Sequence, residues 1–200
     1  MSFTPYDIVS RFEETIAEYA GSKYAVAVDS CCNALFLCLV YKKAQVVSLP
    51  KYTYPGVACS VKNAGAKIVF KDKKWKGIYT LAPHGIVDGA LRFCQNMYVK
   101  GTFYCLSFHA KKHIPIGRGG MILTDNKKAS EWFKKARFDG RSQVPLSEDN
   151  IDMIGWNMYM TPEQAARGLM LFDVAKHKNF ADIDSEKQGY PDLSTIGVYK

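Results

Sequence analysis

The sequence predicts an α/β fold of three layers (α/β/α), in which a mainly parallel sheet lies between two layers of helices. Two observations lead to this prediction. Strand-like runs alternate along the chain with longer segments whose apolar residues recur at helical spacing. The clearest run, Tyr24–Val28, is apolar throughout, which is typical of a strand buried on both faces. With 200 residues, 48% of them hydrophobic, the chain is long enough to bury a sizeable core.

The first seventy residues alternate between helix and strand. Residues 7–19 have apolar side chains near helical spacing with glutamates between them, and Gly21 follows as a stop signal. Ser30 suits the N-cap of a second helix that extends to about Tyr41, and Pro55 suits the first turn of a third. The strands predicted between and after these helices are Tyr24–Val28, 44–49 and 67–70.

The second half of the chain has shorter strand signals and two further helices. The predicted strands are 78–81, 86–87, 102–106 and 121–124. Residues 127–138 form a lysine-rich helix, and residues 139–155 are polar and irregular. Thr161 caps a last helix that extends to about Lys176, with Pro162 at its first position.

We expect two parts, a compact domain over residues 1–180 and a tail or extension over residues 181–200. The beginning of the chain lacks the apolar stretch of a signal peptide, and no apolar run approaches the roughly 20 residues of a spanning helix. These features predict a cytoplasmic protein that does not bind membranes. The six cysteines have neither C-x-x-C nor zinc-finger spacing, so we expect free thiols and no metal site.

The net charge of +8 suits anionic partners, which include phosphorylated cofactors, sugar nucleotides and nucleic acid. The densest basic patch, Lys71 to Lys76, lies in a predicted loop, and aromatic residues do not interleave with it as on a platform for single strands. A nucleic-acid-binding module would explain only this charge, and we expect no nucleic-acid partner.

One segment, residues 107–120, follows a predicted strand and precedes another. In an open α/β sheet, a lysine just beyond the carboxyl end of a strand lies where such folds bind ligands. A lysine in a desolvated position there can attack a carbonyl and form a Schiff base, although adjacent loop lysines, here Lys111 and Lys112, are more often solvated.

Three further positions suit the same chemistry. Asp88 ends a short apolar run, and a carboxylate held against a pyridinium nitrogen keeps that ring an electron sink. Ser30 precedes a helix whose free N–H groups suit a phosphate, and Tyr54, beyond another strand, can stack on a flat ring. Taken singly, each residue is equally a turn aspartate, a helix cap or a surface tyrosine.

Together, in chain order, these segments resemble the DegT/DnrJ/EryC1/StrS family of sugar aminotransferases. Ser30 to Leu35 lies where the family has S-G-T-x-A-L, and Asp88 falls on the aspartate of E-D-A-A-Q. Ser107-Phe108-His109 with Lys112 matches S-F-H-x-x-K. Further matches are Phe12 to Val28, Leu49 to Tyr54, Ala64 to Phe70, Gly117 to Gly120, and Gly155 to Gly168.

The resemblance implies an aspartate-aminotransferase-type fold, reduced in size, with pyridoxal 5'-phosphate held as a Schiff base on Lys112. Asp88 would pair with the pyridine nitrogen, and Tyr54 would stack on the ring. The phosphate would be bound by Ser30, Cys31, Cys32 and Ser107. Asn157 would reach the cofactor of the neighbouring chain in a homodimer. The implied reaction is amino transfer, usually from glutamate, to a keto group of a nucleotide-linked sugar.

The chain also departs from the family pattern. Cys31 replaces a glycine, Leu91 a glutamine, Arg118 an acidic residue and Tyr159 an arginine. The stretch over 71–87 is shortened, and we expect this short member to lack the family's C-terminal lobe. Two functions therefore stay open: an aminotransferase, and a non-catalytic member that binds a nucleotide sugar or a partner aminotransferase subunit.

Lys112 also separates two branches of the family. The family's dehydratases carry a histidine where the aminotransferases carry this lysine, so Lys112 favours the aminotransferases. A shift of the alignment by one residue would place His113 there instead.

Overall fold

The computed structural model describes residues 4–200 and confirms the α/β class. In that part of the chain the helices are α1 (Asp7–Ala20), α2 (Cys31–Tyr41), α3 (Pro55–Asn63), α4 (Lys127–Ala136) and α5 (Pro162–Ala175). The strands are β1 (Tyr24–Val28), β2 (Val46–Pro50), β3 (Lys67–Lys71), β4 (Tyr79–Leu81), β5 (Ile86–Asp88), β6 (Phe103–Ser107) and β7 (Gly120–Thr124). Every predicted helix and strand is present, and no boundary differs by more than two residues.

The strands form one continuous layer. Five of them follow the order β1-β7-β6-β5-β4, and β2 pairs with β3 beside them. Two backbone hydrogen bonds between Ser48 and Ala82 join β2 to the chain just beyond β4. Five strands run in one direction, as expected of a mainly parallel sheet, but β4 and β7 run in the other. Because each reversed strand lies between strands of the other direction, only β2–β3 and β5–β6 pair in parallel.

Helices cover both faces of this sheet. Val26 and Val28 of β1 belong to the apolar cluster beneath α2, α3 and α4. Ala25 and Ala27, which alternate with them, belong to the cluster beneath α1 and α5. Strands β6 and β7 divide their side chains in the same way, because successive residues of a strand point to opposite faces. The predicted three layers are therefore confirmed.

Helices α2 and α5 begin at the caps that the sequence predicts. The Ser30 hydroxyl accepts a hydrogen bond from the Asn33 N–H at the start of α2. Thr161 and Gln164 form a reciprocal capping box at the start of α5. The longest helices have 14 residues. Among residues 4–200, none has the length and apolar character needed to cross a membrane.

A buried ion pair ties α1 to β1 and to the end of α4. Glu13 is 3% exposed and its Oε1 accepts hydrogen bonds from the Ala27 N–H, at 2.8 Å, and from the Arg137 guanidinium. Arg137 also donates to the Ala27 carbonyl oxygen. The pair thus joins α1 and α4, which cover opposite faces of the sheet, to β1, the strand that leads into α2.

Residues 181–200 pack against the domain through short 3₁₀ turns, among them Ser185–Gln188 and Leu193–Thr195. Leu193 is fully buried, and its N–H donates to the Lys51 carbonyl oxygen at 2.9 Å. The division of the chain at residue 180 stays a prediction, but these contacts place the segment beside β2.

Candidate functional site

A cavity of ≈ 560 Å³ lies where several elements meet at one edge of the sheet. Its wall includes the carboxyl ends of β5 and β6, the start of α2, the start of α3 and the loop between β6 and β7. A volume of this size is typical of sites for small molecules and cofactors. Seven of the eight residues predicted to bind the cofactor line it: Ser30, Cys31, Cys32, Tyr54, Asp88, Ser107 and Lys112.

Asp88 lines the cavity and is 4% exposed. Its Oδ2 accepts a hydrogen bond from the Tyr79 hydroxyl at 2.8 Å, and its Oδ1 accepts one from the Ala90 N–H at 3.0 Å. Burial raises the pKa of the carboxyl, while these two donors and the charge of Lys112 lower it. Among residues 4–200, Asp88 forms no ion pair within 4.0 Å. Asp88 is therefore a buried acceptor that is not paired with a basic side chain of residues 4–200.

The start of α2 forms another part of the wall. The first N–H groups of a helix have no partner within it, so those of Cys31 and Cys32 suit an anion. Burial, with a further contribution from Asp88, raises the pKa of the Cys31 thiol well above its ordinary value and that of Cys32 to about 11. Both thiols are consequently neutral at pH 7 and add no charge that would repel a phosphate.

A close approach holds this helix start in place. Gly120, the first residue of β7, lies so near that a Cβ there would be 2.4 Å from the Ser30 carbonyl carbon and 2.5 Å from the Cys31 nitrogen. Only glycine fits this contact. Arg118, two residues earlier, reaches the same corner, where its Nη2 lies 2.5 Å from Asp29 Oδ2.

Of the three basic residues at 111–113, Lys111 and Lys112 line the cavity. The Lys112 N–H donates to the His109 carbonyl oxygen at 2.9 Å, which fixes the loop at that point. His113 does not line the cavity; its ring packs on Phe180, with 4.8 Å between centroids, and burial lowers its pKa. The geometry therefore favours a lysine over His113 as the residue that faces a ligand.

Of two other predicted site residues, Tyr54 lines the cavity and Asn157 does not. Tyr54 is 56% exposed, so one face of its ring is free. Asn157, the eighth predicted cofactor-binding residue, does not line the cavity; it is exposed, and its Nδ2 donates to Asp139 Oδ2 at 3.2 Å. Its predicted role concerns a neighbouring chain and stays a prediction, as do the roles of the other site residues.

Several residues of the site have no signal in the sequence. Tyr79 binds Asp88 and shares a 2.8 Å hydrogen bond with the Thr53 hydroxyl, so a buried chain of polar groups supports the carboxylate. Trp75 and Tyr190 also line the cavity. The alternating burial of β4 places Tyr79 inward, but the pairing of β4 with β5 that brings it to Asp88 depends on the tertiary fold.

Leu91, which stands where the family has a glutamine, is buried outside the cavity. No group of three or more potential metal ligands occurs within residues 4–200.

A model of the DegT/DnrJ/EryC1/StrS aminotransferase family matches residues 2–86 and 95–181. Asp88 lies in the short stretch between the two matched segments. Lys112, Ser107 and the start of α2 lie within them. The match covers most of the chain and both of the helical layers described above.

Among curated proteins, the spore coat polysaccharide biosynthesis protein SpsC of Bacillus subtilis is 26% identical over 215 residues, which cover 80% of this chain and 55% of SpsC. The UDP-4-amino-4,6-dideoxy-N-acetyl-beta-L-altrosamine transaminase of Campylobacter jejuni is 24% identical over 246 residues, which cover 96% of this chain and 65% of the transaminase. The chain thus spans less than two thirds of the length of either relative. Since the second alignment is longer than this chain, that relative holds inserted segments that are absent here.

Solved structures show the same fold. The structure of Helicobacter pylori PseC, an aminotransferase involved in the biosynthesis of pseudoaminic acid, superposes with a TM-score of 0.72 at 16% identity and covers 100% of this chain and 85% of that one. A putative PLP-dependent aminotransferase from Bacillus cereus ATCC 10987 gives a TM-score of 0.71 at 20% identity, over 85% of this chain and 59% of that one.

Proposed function

The chain belongs to the DegT/DnrJ/EryC1/StrS aminotransferase family, and we propose that it is a pyridoxal-phosphate-dependent aminotransferase acting on a keto group of a nucleotide-linked sugar. The observation that carries the proposal is Asp88. A carboxyl that is 4% exposed, that receives two hydrogen bonds and that has no cation within 4.0 Å among residues 4–200 suits a cationic ligand nitrogen. The protonated pyridine nitrogen of the cofactor is such a group.

The remaining residues fit the other parts of pyridoxal phosphate. The free N–H groups at the start of α2, beside neutral thiols, would hold the phosphate, with the Ser107 hydroxyl at the same wall. The exposed ring of Tyr54 would cover one face of the pyridine ring. Lys112, which lines the same cavity as Asp88, would attach the cofactor through its amine.

When bound, pyridoxal phosphate supplies an aldehyde that accepts an amine and a ring that takes up electrons from the adjoining carbon. The Asp88 carboxylate, positioned by hydrogen bonds from Tyr79 and Ala90, would pair with the ring nitrogen, and its negative charge would keep that nitrogen protonated. The Lys112 amine, at the same cavity, would move the proton: it would take one from the carbon that loses the amino group and deliver one to the carbon that gains it. We propose glutamate as the donor.

The sugar-nucleotide substrate is proposed from family membership and from the relatives' printed functions. The Campylobacter jejuni relative is named a transaminase of a UDP-linked amino sugar. A homodimer, in which Asn157 contacts the neighbouring chain's cofactor, is part of the same proposal, and the exposure of Asn157 on the surface supports it.

The test is covalent attachment of the cofactor. Purified protein is incubated with pyridoxal phosphate, its visible spectrum is recorded, and the adduct is reduced with borohydride and located by peptide mass mapping. We expect an absorption band and an adduct on Lys112, both lost in Lys112→Ala. The matched control is Lys111→Ala, which removes the adjacent lysine of the same cavity and should keep the adduct.

An adduct that persists in Lys112→Ala, or that maps to Lys111, contradicts the assignment of Lys112. A colourless wild-type protein without any adduct contradicts the proposed chemistry. It would favour the alternative of a non-catalytic family member that binds a nucleotide sugar or a partner aminotransferase subunit, an alternative that the cysteine at position 31 already suggests.

A further inference from the structure

The C-terminal segment, residues 182–193, forms one wall of the cavity. Gln188, Gly189, Tyr190 and Pro191 line it together with the start of α2 and Asp88. The sequence predicts only a tail or extension here. A stretch of chain that provides four lining residues is part of the site.

This wall is anchored at three separate points of the domain. The Arg92 guanidinium binds the Asp182 carboxylate, with Nε to Oδ1 at 2.9 Å and Nη2 to Oδ2 at 2.5 Å. The Ser185 hydroxyl donates to the Trp75 carbonyl oxygen at 2.6 Å. Leu193 is buried beside Lys51. Tyr190 lies between the last two anchors, so its backbone position is determined from both sides.

The ring of Tyr190 is also held. It stacks on the Trp75 indole, with 6.3 Å between ring centroids and 8° between their planes. Trp75 is itself fixed, because its Nε1–H donates to the Tyr52 carbonyl oxygen at 2.9 Å. The hydroxyl of Tyr190, in contrast, has no hydrogen-bond partner within residues 4–200. Such a group on a rigid ring is available to a ligand.

The Tyr190 hydroxyl lies among the residues that the proposed function assigns to the cofactor. Burial raises the pKa of Tyr190 to about 12, and Asp88, Tyr54 and Cys31 contribute to the increase. The hydroxyl therefore keeps its proton at neutral pH and acts as a donor. The three contributing residues are those that the proposed function assigns to the nitrogen, the ring face and the phosphate of the cofactor.

We propose that Tyr190 is a cofactor-binding residue, whose ring forms a wall of the site and whose hydroxyl donates a hydrogen bond to bound pyridoxal phosphate. The inference rests on the proposed function, because it requires the cofactor to occupy the cavity. It assigns to the C-terminal segment a part of the binding site within the same chain.

The test is a titration of the purified protein with pyridoxal phosphate, in which binding is followed by the quenching of tryptophan fluorescence and by the visible absorption band of the cofactor. Tyr190→Phe keeps the stacked ring but removes the one hydrogen bond that the neutral hydroxyl donates. We therefore expect its dissociation constant for pyridoxal phosphate to be about fivefold higher than that of wild type. Tyr190→Ala removes the ring as well and should weaken binding further. The matched control is Tyr199→Phe, six residues beyond that segment, whose hydroxyl lies 3.6 Å from Cys59 Sγ, outside the cavity.

The outcomes separate this inference from the proposed function. Equal affinities of wild type and Tyr190→Phe, with the adduct on Lys112 intact, would overturn the role of Tyr190 alone. A wild type that binds no pyridoxal phosphate would overturn both proposals. Thermal unfolding without cofactor shows whether each variant is folded, and if Tyr190→Ala is not, the comparison of Tyr190→Phe with Tyr199→Phe decides.

Discussion

Replacement of Asp88 by asparagine should stabilise the cofactor-free protein at neutral pH while it removes the affinity for pyridoxal phosphate. Burial raises the pKa of the Asp88 carboxyl despite the hydrogen bonds from Tyr79 and Ala90 and the charge of Lys112. The folded protein therefore binds the Asp88 proton more tightly than the unfolded chain. The charged carboxylate costs stability, and this cost grows as the pH rises from the unfolded pKa through the raised folded pKa.

The hydrogen-bond network can accommodate the asparagine. Its Oδ1 can accept from the Ala90 N–H, and its Nδ2 can donate to the Tyr79 hydroxyl if that hydroxyl donates to Thr53, 2.8 Å away. The substitution thus removes a buried charge and keeps both hydrogen-bonded contacts of the side chain. We expect Asp88→Asn to raise the free energy of unfolding by about 1 kcal/mol at pH 7, as is common when a functional site is relieved of a costly group.

The assay is urea unfolding of the cofactor-free protein, followed by circular dichroism at several pH values from about 4 to 8. The difference between Asp88→Asn and wild type should shrink towards pH 4. The control is Asp182→Asn, for which the sign is opposite, because hydrogen bonds from Arg92 lower the pKa of Asp182. Asp182 contributes stability above the unfolded pKa and loses it as the pH falls, so this variant should be less stable at pH 7 by about 1 kcal/mol. An Asp88→Asn protein that is less stable than wild type at pH 7, or a gain independent of pH, would refute the reasoning.

Two further substitutions test the frame around the site. Glu13→Gln leaves the buried Arg137 guanidinium without its carboxylate and should lower the free energy of unfolding by about 3 kcal/mol, measured by urea unfolding; an unchanged midpoint would contradict a buried pair. Gly120→Ala forces the backbone at Ser30 to move, since the new Cβ would lie 2.4 Å from its carbonyl carbon. It should lower stability by about 1–3 kcal/mol and weaken binding of pyridoxal phosphate, and an affinity equal to that of wild type would show that the start of α2 is not part of the site.

Much of the site could be predicted from the sequence because its residues follow local signals. Ser30 caps a helix, and Asp88 and Ser107 end strands, so each lies at the same edge of the sheet. The structure brings them to one cavity with Lys112. Which of the adjacent residues 112 and 113 faces the cavity depends on packing against Phe180, which the sequence does not reveal.

By itself the sequence determined the elements of this protein, because apolar periodicity and helix caps act over a few residues. It also determined the ends of strands where a ligand site would form. The tertiary structure alone decided the reversed direction of β4, which brings Tyr79 to Asp88, and the position of Tyr190 in the cavity wall. The position of Tyr190 depends on contacts between segments far apart in the chain, such as Arg92 with Asp182, and these form only where long-range packing outweighs the entropy of loop closure.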